Sequence, residues 1–141
     1  MRVEALSDTG AWLALLDADD RWHAACVAVF STLRLPLTTS AAVLAELFHL
    51  VGDDRRQVAA VWKFLRSGAV TVAPIADDDL ASLDTLMAKY HDRPMDFTDA
   101  TLVHLARRES LVSVFTIDHD DFETYRIVGR RGFRILPGRV F

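Results

Sequence analysis

Short apolar runs alternate with stretches of helical periodicity along this chain, and this alternation restricts the folds that it can adopt. The clearest run covers residues 111–117 and ends at Asp118. The other runs of strand character cover residues 3–7, 35–39, 69–73 and 133–136. Strands separated by helices pair in parallel through right-handed crossovers. The sequence therefore predicts an α/β fold, a three-layer helix/sheet/helix sandwich with a four- to five-stranded parallel sheet.

The connections between the strands show the spacing of apolar residues that is typical of helices. The expected helices cover residues 11–16, 21–33, 41–51, 55–66, 77–89 and 99–108. Ser40 and Thr98 are the expected N-caps of two of them, because a side-chain oxygen there accepts a hydrogen bond from a free N–H of the first turn. Asp99 then lies in a first helical turn, where the helix dipole alone would favour an acid.

The composition is that of an ordinary globular protein. The chain has 141 residues, of which 51% are hydrophobic and 26% charged, and we expect one domain over residues 1–141. The absence of a membrane-length apolar run and of a signal-peptide pattern predicts a soluble, cytoplasmic protein. Cys26 is the only cysteine, which excludes an internal disulfide and a thiol-rich metal site.

The charge is distributed unevenly along the chain. Residues 1–125 carry 20 acids and 11 bases, a net charge of −9, whereas residues 126–141 carry five arginines and no acid, a net charge of +5. Bulk charge does not favour nucleic acid, because phosphate contacts require local Lys or Arg. The candidates for RNA phosphate contacts are Arg130, Arg131, Arg134 and Arg139. A solvated basic strand end is the alternative interpretation of the tail.

Several acids are expected at one edge of the sheet. Asp8 and Asp118 each end a strand and Asp99 begins a helix, and these positions share one edge in a parallel α/β fold. Glu46 lies six residues after Ser40, at the border of the buried helix face, so its longer side chain would have to reach back to that edge. A salt bridge to an arginine is the alternative for Glu46. Carboxylate oxygens are the ligands of hard divalent cations, so a metal site is one interpretation of these acids; helix caps and loops are the other.

Four stretches, residues 7–9, 39–46, 95–100 and 114–122, together resemble the PIN-domain family, and within it the VapC-type toxins of bacterial toxin–antitoxin pairs. The resemblance runs in the expected order from Asp8 to the strand at residues 133–137. It implies a Mg²⁺- or Mn²⁺-dependent endoribonuclease in which one or two ions activate water for in-line attack on a phosphodiester. It also implies a homodimer that binds an antitoxin protein, an arginine of which enters the acidic pocket.

The resemblance assigns roles to individual residues. The catalytic and metal-binding acids are Asp8, Glu46, Asp99 and Asp118. Thr116, and more weakly Thr9, match hydroxyl residues that support a metal-bound water, and Asp96 matches a position that is acidic in only some members, so we treat it as a support of the ligands. The resemblance places Asp120 and Asp121 in a loop, and Phe122 and Tyr125 in the packing behind the site.

Other functions compete with that of a toxin nuclease. His49, His104 and His119 lie near the predicted acids and would favour a mixed His/Asp site with zinc-like chemistry. A phosphatase with an aspartate nucleophile requires a second aspartate at position 10, which is Gly10, and a receiver domain requires a late lysine, whereas none follows Lys89. A non-catalytic binding module of PIN-like fold and a housekeeping RNA-processing nuclease remain alternatives.

Overall fold

Five short strands form one parallel sheet in this computed structural model, which describes residues 1–141. The strands are β1 (Leu6–Ser7), β2 (Leu37–Thr39), β3 (Val70–Val72), β4 (Ser113–Phe115) and β5 (Arg134–Leu136). Their order across the sheet is β3-β2-β1-β4-β5, and every neighbouring pair is parallel. The α/β sandwich predicted from the sequence is confirmed, with five strands and with β1 at the centre.

Seven helices connect or flank the strands. They are α1 (Thr9–Leu16), α2 (His23–Phe30), α3 (Ala41–Val51), α4 (Arg55–Leu65), α5 (Leu80–Lys89), α6 (Phe97–Arg108) and α7 (His119–Thr124). The chain moves in one direction across the sheet from β1 to β3 and in the other from β3 to β5. Right-handed crossovers therefore place α1–α4 on one face and α5–α7 on the other. No helix has the length and apolar character needed to cross a membrane.

The strands are shorter than the apolar runs that predicted them. β1 has only two residues because Asp8 turns the chain directly into α1, and Val3 pairs only through an isolated bridge to Leu33. The runs extend beyond the strands, where single backbone hydrogen bonds continue the pairing, as from the Ala73 N–H to the Thr39 carbonyl and from the Thr116 N–H to the Leu136 carbonyl. The helix predicted over residues 21–33 is also shortened, because the hydroxyls of Ser31 and Thr32 bond to carbonyls three residues back and end the helix in a turn.

Three local predictions were wrong. Asp96, not Thr98, caps α6, so the helix begins two residues earlier than expected. The residues after Asp118 form α7 rather than a loop, because Asp118 caps a short helix that contains Asp120 and Asp121. Residues 77–79 form a separate 3₁₀ turn before α5, in which Asp79 accepts a hydrogen bond from the Ala76 N–H.

The core lies between the sheet and both helix layers. Trp12, Leu6, Phe115 and Phe122 are fully buried, and Trp22 and Cys26 of the second helical segment are also buried. Burial of a large apolar side chain contributes about 1.5–3 kcal/mol to the stability of the fold. This packing holds the carboxyl ends of β1 and β4 side by side, and the predicted acids follow those ends.

Candidate metal centre

Asp8 and Asp118 are joined through the hydroxyl of Thr116. Asp8 follows β1, and its Oδ1 accepts a 2.8 Å hydrogen bond from the Thr9 N–H at the start of α1. Its Oδ2 accepts a 3.0 Å hydrogen bond from the Thr116 hydroxyl, whose oxygen in turn accepts one of 3.0 Å from the Asp118 N–H. Because Ser7 pairs with Phe115 in the sheet, Asp8 leaves β1 at the level of Thr116, two residues before Asp118.

Asp99 enters the same site from the first turn of α6. Its N–H donates a 2.8 Å hydrogen bond to Oδ1 of Asp96, the N-cap, so the cap fixes the backbone that carries Asp99. The hydroxyl of Tyr125 donates a 2.7 Å hydrogen bond to Oδ2 of Asp99. Only 7% of the Asp99 surface is exposed. Asp96 is thus a support of the site through the cap.

Asp121 joins the cluster although the sequence interpretation placed it in a loop. One carboxylate oxygen from each of Asp99, Asp118 and Asp121 lies within 4.8 Å of the others. The Asp121 N–H donates a 3.4 Å hydrogen bond to Asp118, the N-cap of α7. Arg93 donates a hydrogen bond of 3.0 Å to Asp121 and another to Thr124, so this acid has a cationic partner at the rim.

Glu46 approaches from the opposite helix layer. It lies half-buried on α3, at the border predicted from its helical neighbours, and it forms no ion pair with an arginine. Its negative charge is one of the causes that raise the pKa of Asp8. Ser40 caps α3 and lies 2.8 Å from the Thr101 hydroxyl of α6, which ties together the helices that carry Glu46 and Asp99.

Burial and mutual repulsion raise the pKa values of these carboxyl groups. Burial raises the pKa of Asp8 to about 6, opposed by the hydrogen bonds from Thr9 and Thr116. Burial and then the charge of Asp8 raise the pKa of Asp99 to about 8, although the Tyr125 hydrogen bond lowers it. The pKa of Asp118 rises to about 6 through burial and its contact with Asp121. Such buried acids of like charge are stabilised by a cation between them.

The chemistry of this cluster fits a divalent metal ion. All of its donors are carboxylate oxygens, which hard cations bind in preference to nitrogen or sulfur ligands. The residues that would hold the ion are Asp8, Asp99 and Asp118, with Glu46 and Asp121 at the sides. Thr9 is not in this set in the structure: its hydroxyl donates a 3.4 Å hydrogen bond to the carbonyl of Val43.

The histidines lie outside the cluster. His104 Nε2 is 2.8 Å from Asp79 on the side of α6 that faces α5. His119 is buried with Nδ1 3.0 Å from the Ile117 carbonyl and Nε2 2.9 Å from the Pro137 carbonyl. His49 is exposed near the end of α3. This arrangement does not favour the mixed His/Asp site.

The tail arginines divide between the two edges of the sheet. Arg130 and Arg131 precede β5, and Arg134 pairs with Ser113 at the amino end of β4. These three arginines therefore lie at the amino ends of the strands, opposite the carboxyl ends that the acids follow. Arg139 follows β5 and reaches the acidic edge, where its guanidinium bonds to Asp120 and, at 2.8 Å, to Glu123. Their assignment as phosphate contacts stays a prediction, which this placement does not favour.

Sequence reasoning named Asp96 and Tyr125 near the site without their contacts, and it left Asp121 out of the site. Asp121 could have been found from its spacing of three residues after Asp118, which is typical of an acid in the first turn of a capped helix. The Asp96 cap could have been found from Met95 and Ala100, which flank it as an N′ and N4 apolar pair. The hydroxyl of Tyr125 contacts Asp99 across 26 residues of sequence, and no periodicity in the sequence predicts that contact.

The fold and the acidic edge define a class of protein. Residues 5–127 match the PIN domain, and the chain belongs to the PIN-domain family. Ribonuclease VapC26 of Mycobacterium tuberculosis (strain ATCC 25618 / H37Rv) is 31% identical over 134 residues, which cover 92% of this chain and 98% of that protein. The resemblance to VapC-type toxins is therefore confirmed. Assignment of residues 128–141 to the same domain stays a prediction.

Two solved structures share this fold. The crystal structure of M. tuberculosis VapC20, described as a sarcin-ricin loop cleaving toxin, superposes with a TM-score of 0.74 at 22% identity and covers 89% of this chain and 98% of its own. The structure of FitAcB from Neisseria gonorrhoeae superposes with a TM-score of 0.65 at 22% identity and covers 84% of this chain and 91% of its own. At these identities the likeness establishes the fold.

Proposed function

We propose that this chain is a metal-dependent endoribonuclease and the toxin of a type II toxin–antitoxin pair. The observation that carries the proposal is the acidic edge, where one carboxylate oxygen from each of Asp99, Asp118 and Asp121 lies within 4.8 Å of the others and Thr116 connects Asp118 to Asp8. The 31% identity to ribonuclease VapC26 supports RNA as the substrate. The ion that fits is Mg²⁺ or Mn²⁺, because every candidate ligand is a carboxylate.

The residues of the chain have separate parts in this reaction. Asp8, Asp99 and Asp118 would hold the ion, and Glu46 would contribute from α3. When bound, a divalent cation polarises the phosphodiester and lowers the pKa of a water near the scissile phosphorus. Thr116 holds the two strand-end acids at a fixed separation. Asp99 is kept in one orientation by its hydrogen bond from Tyr125.

RNA cleavage with and without metal tests the proposal. The purified chain should cleave 5′-labelled single-stranded or ribosomal RNA in Mg²⁺ or Mn²⁺ and should be inactive in EDTA. Asp8→Asn and Asp99→Asn should abolish cleavage while circular dichroism shows an intact fold. Asp78→Asn is the matched control, because Asp78 is an exposed acid outside the site. Cleavage that persists in both site variants would exclude this assignment, and binding of RNA without any cleavage would favour a non-catalytic module.

Expression in cells separates a toxin from a housekeeping nuclease. The wild-type chain should arrest growth in the cytoplasm, and the Asp99→Asn chain should not. A small protein encoded immediately upstream should restore growth and form a complex with this chain, in which an arginine replaces the ion by pairing with two carboxylates. Light scattering should show a homodimer. Harmless overexpression of an active nuclease would instead favour a role in RNA processing.

A further inference from the structure

We infer that α4 presents a binding surface for single-stranded RNA, formed by Arg55, Ala59, Trp62, Lys63 and Arg66 and called here the α4 platform. This inference rests on the proposed ribonuclease function, and it concerns how the RNA is held outside the acidic edge. At about 100° per residue, these five side chains fall within an arc of about 100° on one side of the helix. Val58, Val61, Phe64 and Leu65 occupy the other side, toward the core.

Trp62 is an exposed aromatic ring with a fixed support. It is 50% exposed, whereas Trp12 and Trp22 are buried. The ring of Phe48 on α3 lies 4.9 Å from the Trp62 ring and supports one side of it. A large aromatic ring that is held in place and open to solvent offers a surface on which a nucleobase stacks, whatever the identity of the base.

The cations of the α4 platform are free of acidic partners. Arg55, Lys63 and Arg66 are exposed, and none of them forms an ion pair. α4 contains no acid, in a chain whose net charge is −4. By contrast, Arg139, the tail arginine at the acidic edge, is already paired with Asp120 and Glu123. The platform thus combines unpaired positive charge with an exposed aromatic ring, and this combination complements a single-stranded polyanion that carries bases.

A short path over α3 connects the platform to the acidic edge. Glu46, His49, Ala45 and Phe48 follow one another around α3 through an arc of about 160° on its solvent side. With side chains a helix is about 10–12 Å across, so this arc measures about 15 Å. His49 and Ala45 are exposed, and neither is negatively charged. A strand of a few nucleotides can therefore cross α3 from the acids to Trp62 without meeting another carboxylate.

Binding of a fluorescein-labelled single-stranded RNA in EDTA tests the α4 platform without cleavage. Trp62→Ala should weaken binding by about 5- to 150-fold, the range for loss of one base–aromatic stack. Lys63→Ala/Arg66→Ala should reduce the slope of log K against log salt by about 1.4, because each cation contributes about 0.7 with single strands. Arg2→Ala is the control, because Arg2 is exposed, forms no ion pair and lies outside both α4 and the tail. It should leave affinity and slope unchanged.

A direct readout and two competitors complete the test. RNA should quench the emission of Trp62, the exposed tryptophan, and Trp62→Phe should remove that quenching while it keeps the fold. Unlabelled poly(U) should compete, and poly-glutamate of equal charge should not, because it lacks bases. If both platform variants bind RNA as the wild type does, or if poly-glutamate competes equally, the platform does not recognise RNA, and the second result would point to an acidic protein segment.

The two proposals can fail independently. Metal-dependent RNA cleavage together with unchanged binding in the platform variants would leave the ribonuclease function intact and overturn the α4 platform. RNA binding that depends on Trp62 without cleavage in Mg²⁺ or Mn²⁺ would support the platform and overturn the nuclease. If both hold, Lys63→Ala/Arg66→Ala should raise KM for RNA and leave kcat unchanged, because these residues lie outside the acidic edge.

Discussion

The hydroxyl of Tyr125 donates a 2.7 Å hydrogen bond to Oδ2 of Asp99 in the buried interior of the acidic edge. This bond fixes the orientation of the carboxylate and occupies one lone pair of Oδ2. It also favours the ionised form of Asp99, against the burial and repulsion that raise the pKa of this acid to about 8. The contact with Asp99 in turn raises the pKa of the Tyr125 phenol, after burial, so the tyrosine stays a donor.

Tyr125→Phe should therefore weaken metal binding more than it weakens the fold. Without the hydroxyl the pKa of Asp99 rises further, and we expect affinity for Mn²⁺ at neutral pH to fall by about 10- to 100-fold. Isothermal titration calorimetry measures the affinity. Tyr90→Phe is the matched control, because the Tyr90 hydroxyl accepts a 2.8 Å hydrogen bond from the Arg126 N–H and touches no acid. Equal loss of affinity in both variants would refute a specific role for Tyr125.

Thr116→Val should separate Asp8 from Asp118. Valine has nearly the same shape but cannot donate to Asp8 or accept from the Asp118 N–H, so a buried donor is left unsatisfied at a cost of about 1–3 kcal/mol. We expect the free energy of unfolding to fall by that amount in urea denaturation and RNA cleavage to fall by about 10- to 100-fold. Thr71→Val, at an exposed position of β3, should change neither quantity. Full activity of Thr116→Val would contradict the bridging role.

The metal-free protein should lose stability as the pH rises. Acids whose pKa is raised by folding bind more protons in the folded than in the unfolded state, so their contribution is complete below the unfolded pKa near 4 and is lost as pH passes the folded pKa. For Asp8 and Asp118 that loss is complete above a pH of about 6, and for Asp99 above about 8. The contribution of Asp79 to stability has the opposite pH dependence, because folding lowers the pKa of this acid to about 2. That contribution is lost only in more acidic solution.

Thermal unfolding in EDTA at successive pH values measures this dependence. The melting temperature should decline between about pH 4 and pH 8. In Asp99→Asn the part of the decline between about pH 6 and pH 8 should be missing, because asparagine does not titrate. Asp78→Asn should follow the wild-type curve, and a wild-type melting temperature that does not change over this range would show that the acids are not destabilised by burial.

A divalent metal ion should restore the stability that the metal-free protein loses as the pH rises. Binding to the folded state alone stabilises it by about 2.7 kcal/mol when the free ion is at 100 times its Kd. The effect of Mn²⁺ on the melting temperature should grow with pH, because the ion binds the deprotonated acids. Asp99→Asn should abolish the effect, and Asp121→Asn should reduce it partially, since Asp121 is shared with Arg93. A full Mn²⁺ effect in Asp99→Asn would place the ion elsewhere.

The fold could be predicted because short apolar runs typical of buried strands alternate along the chain with the apolar spacing typical of helices. Each pattern follows from the local geometry of its element. The helix from Ser40 to residue 51 was predicted with its cap because its serine, its apolar spacing and its terminal glycine agree. α7 was missed because six residues are too few to show a helical period. The choice of Asp96 over Thr98 as a cap could not be made from capping preference, since both residue types cap well.

The acids of the site could be located at one edge from topology alone, since strand ends and helix starts share that edge. Their contacts could not be predicted in the same way. The bond between Asp8 and Thr116 spans 108 residues, and that between Asp99 and Tyr125 spans 26. Such contacts depend on which strands become neighbours, and β1 adjoins β4 although two other strands lie between them in sequence. For the same reason the sequence did not show that Arg139 lies at the acidic edge whereas Arg130, Arg131 and Arg134 lie at the opposite one.

The central position of β1 beside β4 also determines when during synthesis the site can form. Asp8 leaves the ribosome early, but it meets Thr116 and Asp118 only after more than a hundred further residues have been added. The nascent chain therefore carries separated, solvated acids and no assembled nuclease for most of its translation. The acidic edge is therefore assembled only late in synthesis, after the segment that carries Thr116 and Asp118 has been added.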